Sequence, residues 1–459
     1  MVLSRGILAL GIVFCSGTVG AGSGEDFARW QKLEQQQFQQ FKSEQEKEFS
    51  RFLKEAWLIK DQELPVVRDL APKPVTLPKA GPVVIILPEI SDVPPAIVSP
   101  ILVKPETIKK PLEQPKENSV VVDFYGHHLS FTHIYGLKTL AVSLRPENLA
   151  ENWITASRDV APLIEQVKRT VQTLELSDWA TYQLLDAYAQ ELGLSEHNRT
   201  IFIWAALTKL GFDARVSYDN YALYLMLPSH QAVYGMTFVL IEQQKFYFVG
   251  GKPKGSISIY ESSVFDRKMD LSFSKTLLPA NDAKFVQSRT LEDLRSGVKL
   301  NYRINSGFSE YFISHPQVDL VWYFKSPINI QTEREIIIQF ESMLEGLSAV
   351  EKVSIILSFV QHAFKYEIDQ KQWGREYYAT PQHTLSLSAV DCEDRSFLFA
   401  RLVKKLVGLD SVGVLYPGHV AVAVDFNGKI TDGVYYRHKN NNFYIADPTY
   451  IGASIGQVM

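Results

Sequence analysis

Twelve of the chain's 22 prolines fall between Pro65 and Pro115. A stretch so interrupted cannot be helix, because each ring removes a backbone donor and clashes with the turn before it. The 459 residues are thereby divided. A packed core must lie after about Asn118, and whatever precedes Leu64 is held on a tether. In polyproline geometry residues 64–118 would reach about 170 Å at roughly 3.1 Å per residue. Two apolar runs inside the tether, Val83 to Leu87 and Ile101 to Val103, are unusual for a solvated spacer. They are expected to add as short edge strands to a sheet of this chain or of a partner.

Two segments precede the tether. Arg5 is followed by an uncharged run from Gly6 to Gly24, with small residues Val19, Gly20 and Ala21 at a cleavage position. That is the pattern of a secretory signal peptide over residues 1–23, and it predicts an exported protein, periplasmic, cell-surface or secreted. Phe14 is too bulky to precede a lipidated Cys15. Residues 24–63 are rich in Gln and Glu, and their aromatics Phe27 and Trp30, Phe38 and Phe41, Phe49 and Phe52 recur every 11 residues. Eleven residues make three turns at about 3.67 per turn, so the spacing predicts a long amphipathic helix with one aromatic stripe. The stripe suits three roles: packing on the chain's own globular part, homo-oligomer assembly as a coiled coil, or docking of a partner protein.

A net charge of -4 and a pI near 6.2 provide no general polyanion-binding surface, which excludes nucleic acid as a main partner. No later stretch reaches about 18 uninterrupted apolar residues, so no membrane span is expected once the signal is removed. Of the two cysteines, Cys15 leaves with the signal, and Cys392 then has no partner for a disulfide. An unpaired thiol in an oxidising compartment is either a buried apolar residue or a group with chemistry to do.

Beyond Ser119 the texture is globular. Val120 to Phe124 reads as a strand, and Val160 to Val171 and Trp179 to Leu192 read as amphipathic helices, the second capped by Ser177. An apolar helix from Thr200 to Leu210 precedes strands at Tyr221–Leu227, Met236–Ile241 and Phe246–Val249. Residues 119–260 are therefore an α+β unit, residues 261–332 read as an accessory β region, and helices resume at Glu333–Leu344 and Ala349–Phe364. His127, His128 and His133 lack the acidic or cysteine partner that would complete a metal site. Asn198, Arg199 and Thr200 match a glycosylation acceptor but stand where a helix cap is expected. There is no Gly-rich phosphate loop, and nothing requires a cofactor or a metal.

Residues 333–459 carry the chemistry. Cys392 opens a helix whose apolar positions include Phe397, Leu398, Leu402, Val403 and Leu406 and which Gly408 stops. A thiol at a helix N-terminus gains from the unpaired N–H groups and the dipole, while Asp391, Glu393 and Asp394 oppose its ionisation, so a further group must activate it. His419 begins an alternating strand to Phe426, and Asp447 follows a second strand, Phe443 to Ala446. Each alone has an ordinary role, His419 as a core histidine and Asp447 as a turn former before Pro448. Together, a cysteine at a helix start with a histidine and an aspartate on neighbouring strands is what nucleophilic acyl transfer needs.

The run Asp391 to Phe399, then Gly418 to Val420, then Asp447 to Thr449, in that order and context, resembles the transglutaminase-like superfamily of papain-like cysteine enzymes. The resemblance implies a Cys-bearing helix packed on an antiparallel sheet. It implies Cys392 as nucleophile, His419 as general base and acid, and Asp447 as the orienting acid. It also implies an oxyanion site made by the nucleophile's own N–H and an upstream donor, for which Gln361 and Trp373 are the candidates. Substrates would be proteins or peptides. A Cys392 thioester would be released by water, as in a cysteine protease, or by an amine, as in cross-linking; many bacterial members look like hydrolases.

Arg199–Leu207 and Arg395–Val403 are similar runs, each leading to a helix-ending glycine and a strand set with a Phe-Tyr pair. Superposed, Glu196 falls opposite Cys392, Ala222 near His419 and Gly250 near Asp447. This predicts a tandem in which 119–260 is a degenerate copy of the catalytic unit. The competing class is a non-catalytic scaffold that assembles through its N-terminal helix.

Overall fold

The computed structural model describes residues 83–85, 118–260, 265–275, 278, 285–430, 432–438 and 440–457. The expectations for residues 1–23 and 24–63, and for the tether apart from 83–85, lie outside the described residues. The described part belongs to a compact unit spanning Ser50–Met459, of mixed α+β architecture with antiparallel sheets.

The first strand, β1 (Val83–Ile85), comes from the tether, and a hairpin of β2 (Ser119–Phe124) and β3 (His127–Thr132) opens the continuous chain. Four helices follow: α1 (Pro146–Asp159), α2 (Ala161–Thr173), α3 (Asp178–Glu191) and α4 (Glu196–Lys209). Ser177 accepts from Ala180 N–H at the start of α3, as its sequence predicts. The start of α4 corrects the sequence reading. Ser195 is the cap, and Asn198 is a buried residue within the helix that donates to the Leu137 carbonyl, so it is neither a cap nor a surface acceptor.

A sheet of β4 (Arg215–Tyr218), β5 (Leu223–Pro228), β7 (Phe238–Ile241), β8 (Gln244–Val249) and β9 (Ser258–Ile259) follows, in the order β7-β8-β5-β4-β9, with a short β6 (Val233–Tyr234) set apart from it. The region expected to be an accessory β layer is only partly so. After the hairpin β10 (Val286–Asp293) and β11 (Val298–Asn305) it turns helical in α5 (Gly307–Ser314), then continues through β12 (Gln317–Val318), paired with β6, to α6 (Leu320–Lys325). The apolar residues of α5 and α6, among them Phe308, Phe312, Tyr323 and Phe324, are spaced for one buried helical face rather than for alternation.

Two long helices, α7 (Ile330–Leu344) and α8 (Ala349–Ala363), lead through β13 (Lys365–Tyr366), the single turns α9 (Asp369–Gln372) and α10 (Pro381–Thr384), and β14 (Ala389–Val390) to α11 (Cys392–Val407). The last strands are β15 (Ser411–Tyr416), β16 (His419–Asp425), β17 (Tyr435–His438) and β18 (Asn441–Ala446), and their sheet has the order β1-β15-β16-β18-β17.

The tether strand therefore does add to a sheet edge of its own chain, with Val83 opposite Leu415 and Ile85 opposite Gly413. Gly413 is required there, because a Cβ would come within 2.6 Å of the Phe324 ring. Phe324 meets Phe397 edge-on at 4.7 Å, so α6 wedges between the sheet and α11 and fixes the helix that carries Cys392. One apolar core runs without interruption from Val122 through Trp204 and Tyr302 to Phe399 and Val422. Among the described residues no helix is long and apolar enough to cross a membrane.

Candidate active site

Helix α11 places Cys392 because its apolar residues leave it no other orientation: Phe397, Leu398, Phe399, Leu402 and Val403 are all buried. Gly408, at φ +76°, ends it with its N–H on the Lys404 carbonyl, as expected from its position. The first turn is clamped to β16, since Ser396 Oγ donates to the Val420 carbonyl at 3.0 Å and Val420 N–H donates to the Cys392 sulfur. The thiol thus lies against the start of the strand that His419 begins.

His419 follows a tight Pro417-Gly418 turn in which Gly418 sits at φ +72°, a conformation that only glycine adopts without strain. Its cross-strand partner is Tyr416. Pairing of Val422 with Ala446 carries the end of β18 alongside, so Asp447 arrives next to the imidazole. His419 Nε2 and Asp447 Oδ2 are 2.6 Å apart, and the other carboxylate oxygen accepts Thr449 N–H at 2.9 Å. The rings of Tyr416 and Tyr450 lie 6.1 and 5.1 Å from the imidazole and shelter the pair. The histidine side chain is 13% exposed and the aspartate 5%.

The thiol itself hydrogen-bonds not to His419 but to Glu393 Oε2, at 2.9 Å. Burial, then the charges of Glu393 and Asp391, push the Cys392 thiol well above its ordinary range. Burial is the larger cause, and the opposition of the flanking carboxyls, legible in the sequence, adds to it; both favour the neutral thiol over the thiolate.

Gln361 requires a correction. Its Nε2 donates to the carbonyls of Asp447 and Ala453 at 2.9 and 3.1 Å, and its Oε1 accepts Gly452 N–H at 3.2 Å. Both amide protons are committed to the loop after β18, so Gln361 holds Asp447 in place rather than offering a donor to an oxyanion. The Trp373 ring is tilted against Tyr377 with centroids 4.6 Å apart and lies 6.2 Å from His383. The histidines of the first hairpin diverge: His127 Nε2 is 2.8 Å from the Leu278 carbonyl, and His128 pairs with Asp123.

Sequence reasoning missed the surroundings of the thiol. Asp369, Asp391 and Glu393 are buried with carboxylate oxygens within 4.8 Å of one another. Asp394 is buried beside them and accepts Ala379 N–H at 2.8 Å. Arg395 is 1% exposed, and its guanidinium faces the carbonyls of Phe364, Gln361 and Thr449 at 2.8, 3.3 and 3.4 Å. The run Asp391 to Arg395 displays these charges in the sequence; that the single turn α9 would bring Asp369 to them has no local signal.

Comparison with protein families, curated proteins and solved structures finds no match for this chain.

The carboxyl cluster has a measurable consequence. Burial, with the charges of Glu393 and Asp394, pushes Asp369 up to about 10. The unfolded carboxyl releases its proton near pH 4, so between about pH 4 and pH 10 the folded protein holds a proton that the unfolded chain has lost. This group's contribution to stability therefore falls as pH rises through that window. Asp369→Asn retains a side chain able to accept Tyr377 N–H and does not titrate. The variant is expected to gain on the parent by about 1.4 kcal/mol for each pH unit above the unfolded value, about 5 kcal/mol at pH 8, with the gap closing towards pH 4. Urea midpoints across this range test it, and parallel curves for the two proteins would refute it.

Proposed function

We propose that this chain is an exported cysteine enzyme of the transglutaminase-like kind, acting on the amide bonds of proteins or peptides. The observation that carries the reading is the His419–Asp447 pair, held at 2.6 Å at the start of the strand whose next residue, Val420, gives its N–H to the thiol that opens a helix. With Nε2 committed to the aspartate, Nδ1 is the atom left to take the thiol proton. Sγ attacks the carbonyl carbon as His419 takes its proton, and the imidazolium then gives that proton to the leaving amine, which departs as a thioester forms. Water, or an amine in a cross-linking reaction, attacks the thioester with His419 again as base, and the thiol is restored. Because the resting thiol is neutral, proton removal accompanies attack rather than preceding it.

The tandem reading draws support from topology. Both five-stranded sheets place their strands in the order first, second, fourth, third, with an added strand beside the first. The pair Leu225 and Val249 corresponds in register to Val422 and Ala446. Three residues before and one after, Ala222 and Gly250 take the places of His419 and Asp447, and Glu196 opens α4 as Cys392 opens α11. The first unit would then be a scaffold lacking all three catalytic groups.

The test is acyl-enzyme trapping. A library of peptide amides and activated esters is expected to leave an acyl adduct on Cys392, found by mass spectrometry of acid-quenched protein, with none on Cys392→Ala. If amide-bond turnover persists in Cys392→Ala, the enzyme reading fails. If there is neither adduct nor turnover, a scaffold that works through its N-terminal helix is favoured.

A further inference from the structure

The carboxyls around the thiol are buried and bonded among themselves, so they act on the sulfur by contact. Cys392 S–H donates to Glu393 Oε2 at 2.9 Å, and among the described residues no other side chain hydrogen-bonds the sulfur. Glu393 is 0% exposed and also hydrogen-bonds Asp391. The other titratable groups that act on the sulfur are Asp391, Tyr366 from β13 and Tyr450 after Asp447. His419 acts on Glu393 through its charge. The carboxyl therefore stands near both members of the pair that must exchange a proton, and it holds the sulfur that attack requires on the imidazole. Packing decides which partner can move. The first turn of α11 is fixed at three points: Asp394 accepts Ala379 N–H at 2.8 Å, Arg395 donates to the Phe364 carbonyl at 2.8 Å, and Ser396 Oγ donates to the Val420 carbonyl at 3.0 Å. Glu393 sits enclosed in that turn. The cysteine side chain has a single heavy atom beyond Cβ, so one change of χ1 rotamer moves the sulfur and leaves the helix where it is.

We propose that Glu393 is a positioning residue that latches the nucleophile at rest: it holds the S–H off His419, and activation is a rotamer change of Cys392 that passes the S–H from Glu393 Oε2 to His419 Nδ1. The inference rests on the cysteine-enzyme reading for the purpose of the latch but not for its existence. Acceptance of the S–H by Glu393 favours the protonated sulfur, because a hydrogen bond made to the neutral form opposes ionisation. In the released geometry His419 Nδ1 takes the proton as Sγ attacks, and Asp447 balances the imidazolium, so no further reactant is needed. The latch also protects the site between turnovers, since the thiolate is the form that oxidises.

The experiment reads the S–H bond itself. In the full chain carrying Cys15→Ser, Cys392 is the only thiol, and its S–H stretch lies in an infrared window free of other protein bands; subtracting the spectrum of Cys392→Ala isolates it. The parent is expected to show a stretch lowered by the hydrogen bond, and His419→Ala to leave that band in place. Glu393→Gln, whose amide oxygen can accept the same S–H, should keep it low. Glu393→Met should shift the band, and the shift should be reversed or altered when His419→Ala is added. In the methionine variant the pH at which the band is lost should fall by about one unit or more, a tenfold gain in thiolate at fixed pH. A band that moves on His419→Ala alone would show the thiol already on the imidazole and overturn the proposal. So would a band that Glu393→Met leaves unshifted, a shift in that variant indifferent to His419→Ala, or a glutamine variant that follows the methionine one. The first of these outcomes needs no change at Glu393 and so decides the matter even if the methionine variant does not fold. An acyl adduct on Cys392 in a protein that fails these tests would keep the enzyme reading and remove only the latch. A latched S–H in a protein whose Cys392→Ala variant still turns over amides would keep the latch and sink the enzyme reading.

Discussion

His419→Ala is expected to slow acylation of Cys392 by about 10³-fold to 10⁴-fold in kcat/KM. The size of the effect follows from the state of the thiol. In a cysteine enzyme with a preformed thiolate–imidazolium pair, part of the nucleophile survives loss of the base. Here burial, Glu393 and Asp391 keep the proton on sulfur, so without the imidazole the proton has only the carboxylates that already hold it. Asp447→Asn should lie between the two proteins, since an amide placed at Oδ2 can reverse the hydrogen bond to Nε2 and select the wrong tautomer. Single-turnover acylation with a substrate found by trapping measures both variants, with circular dichroism to show that each is folded. A rate for His419→Ala within tenfold of the parent would remove the histidine from the chemistry.

Arg395→Met is expected to cost about 3–5 kcal/mol of stability, the usual penalty for breaking a buried charge arrangement. Burial lowers the Arg395 guanidinium to about 10, with Tyr366 and Asp391 first among the groups that counter it. Three backbone carbonyls, of Gln361, Phe364 and Thr449, lose their donor when it is removed. The carboxyls of Asp391 and Asp394 also lose the buried cation that acts on them. The Phe364 contact, at 2.8 Å, is the strong one, and the other two, at 3.3 and 3.4 Å, are long. Arg395→Lys should recover part of the loss, because an ammonium keeps the charge but not the planar fork. Urea unfolding measures the series. A methionine variant within 1 kcal/mol of the parent would show the cluster to be neutralised by protonation rather than by arginine.

Local signals were strong along α11 and the strands after it. A polar run followed by apolar residues at helical spacing and a glycine placed Cys392 at a helix start, and alternation placed His419 at a strand start and Asp447 just after a strand. The sequence was silent wherever the decision was tertiary. Gln361 on α8 looks the same whether its amide faces solvent, an oxyanion or the Asp447 carbonyl. Its place on the helix before the cysteine suggests an oxyanion donor, but both its amide protons go to the loop after β18. α5 and α6 were missed because short apolar helices beside strands share their composition with strands.

Outside residues 307–325, what the sequence determined by itself is the main order of elements and the residue type at many of their ends, since caps, glycine stops and hydrophobic period act over a few residues. The tether strand illustrates the limit: Val83 to Leu87 could be read as edge-seeking, but its edge, beside Leu415 and Gly413, exists only once β15 and β16 have paired. Only the tertiary structure decided that Nε2 of His419 would meet Asp447, that the thiol would turn to Glu393, and that Asp369 would join the carboxyls around it. Those contacts depend on strand register and on how a helix is wedged against a sheet, and both are fixed by the whole core at once rather than by any run of residues within it.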